Sequence, residues 1–153
     1  KAYHEQNPEI GQTKSALYQR MRRDPDCAYT DWTSRRRHGP GLLSNIENVR
    51  AEAERQMFAS LIQGSAGALT RFSLVRLYLL QRSGELPSRT TLTVHDEIHT
   101  DCDEADAAKV ALATQAVMED FHHHFGAIPI VAGIEKTTTS WADKKEFDPW
   151  EAT

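Results

Sequence analysis

Two stretches rich in strand-forming residues, Thr90 to Val94 and Glu97 to Cys102, are separated only by His95-Asp96. This spacing narrows the fold more than any other feature of the chain. A two-residue connection joins antiparallel neighbours, whereas parallel strands need a crossover of a dozen or more residues. The spacing therefore predicts a tight hairpin with His95 and Asp96 at its tip, without the usual Asn-Gly signal.

The rest of the pattern is mostly helical. Asn7-Pro8 reads as an N-cap followed by proline at the first helical position. The helix should run to about Arg23, with Ile10, Leu17 and Met21 as its apolar stripe and Asp24-Pro25 as its stop. Cys27 to Asp31 is strand-like, and Ser34 to His38 could pair with it before the loop Gly39-Pro40-Gly41. From Ser44 or Asn45 the helical period returns with Val49, Ala53, Met57 and Leu61, and Gly64 predicts a break or kink. A second helix, Ser65 to Arg82, would bury Leu69, Phe72, Val75, Leu79 and Leu80, and Ser83-Gly84 would close it. Asp103 can cap a helix from Glu104 to about Phe125, with Val110, Ala113, Val117 and Phe121 inward and Gly126 as its end. Ile128 to Ile134 reads as a third strand, and the polar tail offers Trp141 and Trp150 as anchors. The expected class is α/β in the α+β sense: an antiparallel sheet with helices packed on one face.

A chain of 153 residues can bury one sizeable core. Arg71 and Arg76 interrupt its most apolar segment, so no transmembrane helix is expected. The opening Lys1 to Ile10 is polar and lacks a signal-peptide pattern. A start on Lys rather than Met suggests a trimmed, processed or partial chain. Two cysteines, Cys27 and Cys102, cannot build a disulfide framework, so a reduced, cytoplasmic setting is expected.

The net charge of −4 conceals an asymmetry. Residues 1–76 hold 12 Lys and Arg against 8 Asp and Glu, and residues 77–153 hold 6 against 14. A basic half beside an acidic half suits a polyanion clamp next to a cation site, and it equally suits two solvated faces.

Thr93-Val94-His95-Asp96-Glu97 places two adjacent carboxylates and a histidine at a strand end. A carboxylate projected from a tight turn suits Mg²⁺, which keeps several waters and takes one or two protein carboxylates. A polar hairpin tip without chemistry remains the alternative. Arg55 and Gln63, eight residues apart on a helix, lie about two turns apart on one face. Long donors on one face suit the minor groove, where every base pair offers acceptors at similar positions. An ordinary exposed polar face explains them as well. Arg35-Arg36-Arg37 can bind phosphate or stay solvated. His122-His123-His124 looks like a metal tract, but consecutive histidines on a helix point in different directions. In an uninterrupted strand His95, Glu97, His99 and Asp101 would share one face and could hold a transition metal for a hydrolase. A turn at His95-Asp96 would break that alignment.

Taken in order, these stretches resemble the C-terminal part of the family A DNA polymerases, the bacterial DNA polymerase I type. The resemblance starts at Tyr29-Thr30 and continues through Arg35-Arg36-Arg37, Ala53-Glu54-Arg55 and Ile62-Gln63-Gly64-Ser65-Ala66. It is most specific at Val94-His95-Asp96-Glu97, which is similar to the family's third polymerase motif, and it extends to Trp141.

The resemblance implies roles. Asp96 would be a metal-binding catalytic aspartate of the palm, His95 would lie near the primer 3′ end, and Glu97 would be a supporting acid. Arg55 and Gln63 would feel the minor groove of the new duplex, and Arg35, Arg36 and Arg37 would meet DNA phosphate. Residues 1–44 would end the fingers region and residues 45–153 would form the C-terminal part of the palm. The implied activity is DNA-directed DNA polymerisation with two Mg²⁺ ions, acting on primer-template DNA and deoxynucleotide triphosphates, with no membrane. Ala59 stands where the family usually has Asn, and Leu61 where it often has Pro, so one minor-groove contact is expected to be missing. The family's other metal-binding aspartate and its nucleotide-binding fingers helix have no counterpart in the chain. That implies a split enzyme, for which phages are a natural setting, or a fragment. In a split enzyme, a partner chain carrying the missing aspartate and the fingers helix would complete the sheet and share the metals. A non-catalytic nucleic-acid-binding palm module, a single-subunit RNA polymerase fragment and a metal hydrolase using His95, His99 and Asp101 are the alternatives.

Overall fold

The computed structural model describes residues 6–24, 29–30, 32–126 and 128–151. The chain divides into two compact units, residues 1–66 and 67–153.

In the first unit, α1 (Pro8–Arg23) starts as the sequence predicts, with Pro in its first turn. Proline is favoured there because its fixed φ suits the helix and its missing N–H would be unpaired anyway. Glu9 in the first turn and Arg20, Arg22 and Arg23 in the last complement the helix dipole. β1 (Tyr29–Thr30) and β2 (Arg36–Arg37) form the expected antiparallel pair, in register Tyr29↔Arg37 and Thr30↔Arg36. Cys27, Ala28 and Asp31 of the expected first strand lie outside the described residues. A 3-10 turn, Pro40–Leu43, then leads towards α2 (Glu47–Ser83). Met21, Leu42 and Met57 form the buried core, with Leu17, Tyr18 and Ala53 against it. Gly39 permits this packing: a Cβ there would sit 2.8 Å from Leu42 Cδ1 and 3.2 Å from Met57 Sδ. Arg22 Nε donates to the buried Glu54 Oε1 at 2.6 Å and so compensates a carboxylate that burial would otherwise penalise.

α2 runs unbroken for 37 residues, which corrects the expected break at Gly64. One glycine costs a helix interior about 1 kcal/mol, a penalty that tertiary contacts override. Trp32 Nε1 donates to the Ser65 carbonyl at 3.1 Å, one tether beside that glycine.

In the second unit, Leu77, Leu86, Val110 and Val117 form the core, with Leu80, Ile98 and Ala113 against it. α2 therefore faces inward differently from the expected stripe. Ala68, Thr70, Ser73 and Leu77 are buried, whereas Phe72, Val75 and Leu79 are largely exposed. Sequence hydrophobicity alone does not reveal that face, because three of its four buried residues are small or polar. Gly84, at φ +82°, turns the chain out of α2. β3 (Arg89–Val94) and β4 (Glu97–Asp101) form the expected antiparallel hairpin, with an irregularity between Thr90 and Leu92. The helix expected from Glu104 is a 3-10 turn, Glu104–Asp106, followed by α3 (Ala107–Glu119) and a second 3-10 turn, His122–His124.

The third strand is corrected. Residues 128–134 form no ladder, and the short pair β5 (Glu135–Lys136) and β6 (Lys145–Glu146) follows them. Side chains of α3 partner that segment instead: Glu119 Oε1 accepts from Ala132 N–H, and Gln115 Nε2 donates to the Ala132 carbonyl, both at 2.9 Å. The structure is thus a mixture of helices and small antiparallel sheets, with three two-stranded ladders among the described residues rather than one continuous sheet.

Candidate functional site

The β3–β4 hairpin closes at the Val94↔Glu97 pair and leaves His95 and Asp96 as its two-residue turn. His95 has φ +55°, one of two non-glycine residues with positive φ among the described residues. Histidine tolerates this region better than most residues, which explains a tight turn without Asn-Gly. Backbone strain of this kind concentrates at functional sites. Asp96 is exposed at the tip, and among the described residues no side-chain hydrogen bond or ion pair engages it.

Glu97, the next residue, is held firmly. Lys144 Nζ donates to its Oε1 at 2.7 Å. His99 Nε2 lies 3.3 Å from its Oε2. The Lys144 hydrogen bond holds the Glu97 carboxyl below the ordinary glutamate range, and His99 contributes less. Lys144 also reaches Glu135 Oε2 at 2.7 Å, and the two carboxylates, Glu135 foremost, push its pKa up. Trp141 completes the cluster: its ring meets the His99 ring edge-on at 5.4 Å, and Lys144 Nζ sits 5.6 Å from its centroid. The 3-10 turn Trp141–Asp143 aims this segment, fixed by Ser140 Oγ and Thr139 Oγ1 donating to Asp143 Oδ2 at 2.6 and 3.0 Å.

Sequence reading missed Lys144 and Glu135. Lys144 meets Glu97 across 47 positions, and no short-range spacing could have paired them. Trp141 was expected as a tail anchor and as the end of the family resemblance, not as a neighbour of His99.

The turn also decides against the shared-face metal cluster. It takes His95 out of the strand, and no group of three potential metal ligands comes together among the described residues.

In the first unit, Arg55 and Gln63 both lie exposed on α2. The Arg55 guanidinium is bound by Glu52 through Nε at 3.1 Å and through Nη2, and Gln56 Nε2 donates to the other Glu52 oxygen at 3.0 Å. Those contacts hold Glu52 below the ordinary carboxylate range, Arg55 foremost. Arg36 and Arg37 are exposed on β2, and Arg35 is exposed just before it.

No helix among the described residues is long and apolar enough to cross a membrane. A family model for DNA polymerase family A matches residues 1–143. The chain is 39% identical over 85 residues to the thermostable DNA polymerase I of Thermus thermophilus, covering 56% of this chain and 10% of that protein. It is 32% identical over 112 residues to its Thermus aquaticus counterpart, covering 73% and 13%. It is 32% identical over 109 residues to the DNA polymerase of Bacillus phage SP01, covering 67% and 12%. The chain thus spans about a tenth of the length of these relatives. Among solved structures, the POL domain of Pol1 from M. smegmatis, in complex with DNA primer-template and dNTP, matches with a TM-score of 0.71 at 24% identity. The match covers 77% of this chain and 20% of that one, and it is a likeness of fold. On the extent of the family match, this chain belongs to DNA polymerase family A.

Proposed function

We propose that the chain is the C-terminal palm part of a DNA-directed DNA polymerase, with residues 1–44 ending the fingers region and residues 45–153 in the palm. The observation that carries this reading is Asp96: an exposed carboxylate, uncommitted among the described residues, at the tip of a tight hairpin. Family membership and the polymerase relatives support it.

Asp96 fits one ligand position of a Mg²⁺ site, being a hard oxygen donor in an open setting. Glu97 supports the turn rather than chelating, because its carboxylate is committed to Lys144. A single uncommitted carboxylate leaves the site incomplete, so the second metal-binding aspartate belongs to the remainder of the polymerase. When bound, a pair of Mg²⁺ ions activates the primer 3′-hydroxyl and offsets charge on the departing pyrophosphate. The chain's own contribution is positional. His95 lies beside the primer end, and Arg55 and Gln63 face the duplex minor groove. Arg35, Arg36 and Arg37 hold phosphate. Arg55 reaches the groove by exchanging its Glu52 partner for base acceptors. Substrates are primer-template DNA and deoxynucleotide triphosphates. The enzyme acts in the cytoplasm once assembled with the chain or chains that carry the fingers helix, an arrangement that suits a split phage polymerase.

The test is Asp96→Ala in the assembled enzyme. Primer extension should fall by at least about 100-fold while DNA affinity holds, since the metal acts on the transition state. Retention of a tenth of the wild-type rate would remove Asp96 from catalysis.

A further inference from the structure

The Lys144 cluster joins two parts of the second unit that are distant in sequence. One is the hairpin bearing His95 and Asp96. The other is the C-terminal segment carrying Glu135, Trp141 and Lys144. Lys144 is only partly exposed, and its ammonium reaches Glu97 and Glu135 at 2.7 Å each. An ammonium is a compact charge with three donors, so one lysine can bridge two carboxylates that would otherwise repel. Trp141 packs beside both Lys144 and His99, which limits how far the cluster can shift.

Glu97 is the first residue of β4, directly after the turn. Its backbone closes the hairpin opposite Val94, and its side chain is tied to Lys144. Among the described residues the Asp96 side chain has no tether of its own. Its direction is therefore set by the turn, and the turn is fixed on one side by Glu97. A misplacement of about 1 Å can cost on the order of 100-fold in rate where geometry carries catalysis.

We propose that Lys144 is a positioning residue for polymerisation: by clamping Glu97 against the C-terminal segment, it fixes the turn from which Asp96 is presented. This rests on the assignment of Asp96 to the catalytic site. Lys144 touches neither substrate nor metal and acts through Glu97. Three features separate it from a generic surface ion pair: it bridges two carboxylates, its ammonium sits 5.6 Å from the centroid of an indole ring, and one of its partners adjoins Asp96.

The experiment is a double-mutant cycle in the assembled polymerase, using Lys144→Met, Glu97→Gln and the pair, with Lys144→Arg and Asp96→Ala alongside. Lys144→Met should lower kcat about tenfold with primer-template affinity unchanged, as expected when only transition-state geometry is lost. Lys144→Arg should recover part of that loss, because it keeps the charge and can donate to both carboxylates, although its planar fork does not reproduce the compact ammonium. In the Glu97→Gln background, Lys144→Met should add little, since residues acting through one contact are not additive. A second readout does not depend on activity. Amide hydrogen exchange in this chain should quicken at residues 95–98 in Lys144→Met and quicken less in Lys144→Arg. If Asp96→Ala abolishes extension while Lys144→Met leaves kcat and residues 95–98 unchanged, the positioning role is refuted alone. Additive effects of Lys144→Met and Glu97→Gln would refute it equally. If Asp96→Ala remains active, the catalytic assignment fails and the positioning role fails with it.

Discussion

Leu77→Ala tests the platform on which the candidate site stands. Leu77 is completely buried and packs with Leu86, Val110 and Val117. Ile98 of β4 leans on the same cluster, so the hairpin carrying Asp96 shares this core. Removing the side chain loses its transfer free energy and leaves a cavity, a combined cost of roughly 2–5 kcal/mol for Leu→Ala. The lower half of that range is expected. Leu80 and Ile98 are only partly buried, so they have freedom to move towards the void. A cost of about 3 kcal/mol corresponds to a melting temperature lower by on the order of 15 °C for a unit of this size. Leu77→Met, which conserves volume, should cost less than about 1.5 kcal/mol. The assay is thermal unfolding of the chain followed by circular dichroism, with wild type and both variants under the same conditions and at equal concentration. A shift below about 3 °C for Leu77→Ala would refute the reasoning, because a fully buried leucine at a core centre cannot be removed that cheaply.

The Asp143 carboxyl is held below the ordinary aspartate range by hydrogen bonds from Ser140 and Thr139. A depressed carboxyl stabilises the fold fully above its unfolded-state value, and that contribution is lost as pH falls through the folded value. Ser140→Ala should therefore move the Asp143 titration, followed by carboxyl NMR, up towards the ordinary range; an unchanged midpoint would exclude the Ser140 hydroxyl as the cause. Replacing Arg35, Arg36 and Arg37 together by Ala should weaken DNA binding evenly across sequences and flatten its dependence on salt. A wild-type salt slope would take that basic run out of the DNA interface.

The candidate site was legible in the sequence where it depends on neighbours along the chain. Two strand-like runs around a two-residue gap predict the hairpin and place Asp96 at its tip, as observed. The helix starting at Pro8 and the inward positions Val110, Val117 and Phe121 were legible for the same reason. These features rest on proline geometry, residue period and hairpin closure, all of which act within a few residues.

The features that sequence reading missed or misplaced depend on long-range contact. Ile128 to Ile134 has the composition of a strand, yet a strand exists only where another backbone is free to pair, and here Glu119 and Gln115 take up the Ala132 backbone groups. Gly64 has the chemistry of a helix breaker, yet the helix continues through it, because a penalty of about 1 kcal/mol is small beside tertiary packing. Phe72 and Leu79 lie exposed while Ser73 is buried, because burial is set by where a side chain falls in the folded chain, not by its hydrophobicity alone. The sequence by itself therefore determined the hairpin, its acidic tip and the helical segments, since local geometry leaves these few alternatives. Only the tertiary structure decided that Lys144 clamps Glu97, because two charges 47 residues apart meet only after the intervening chain has folded.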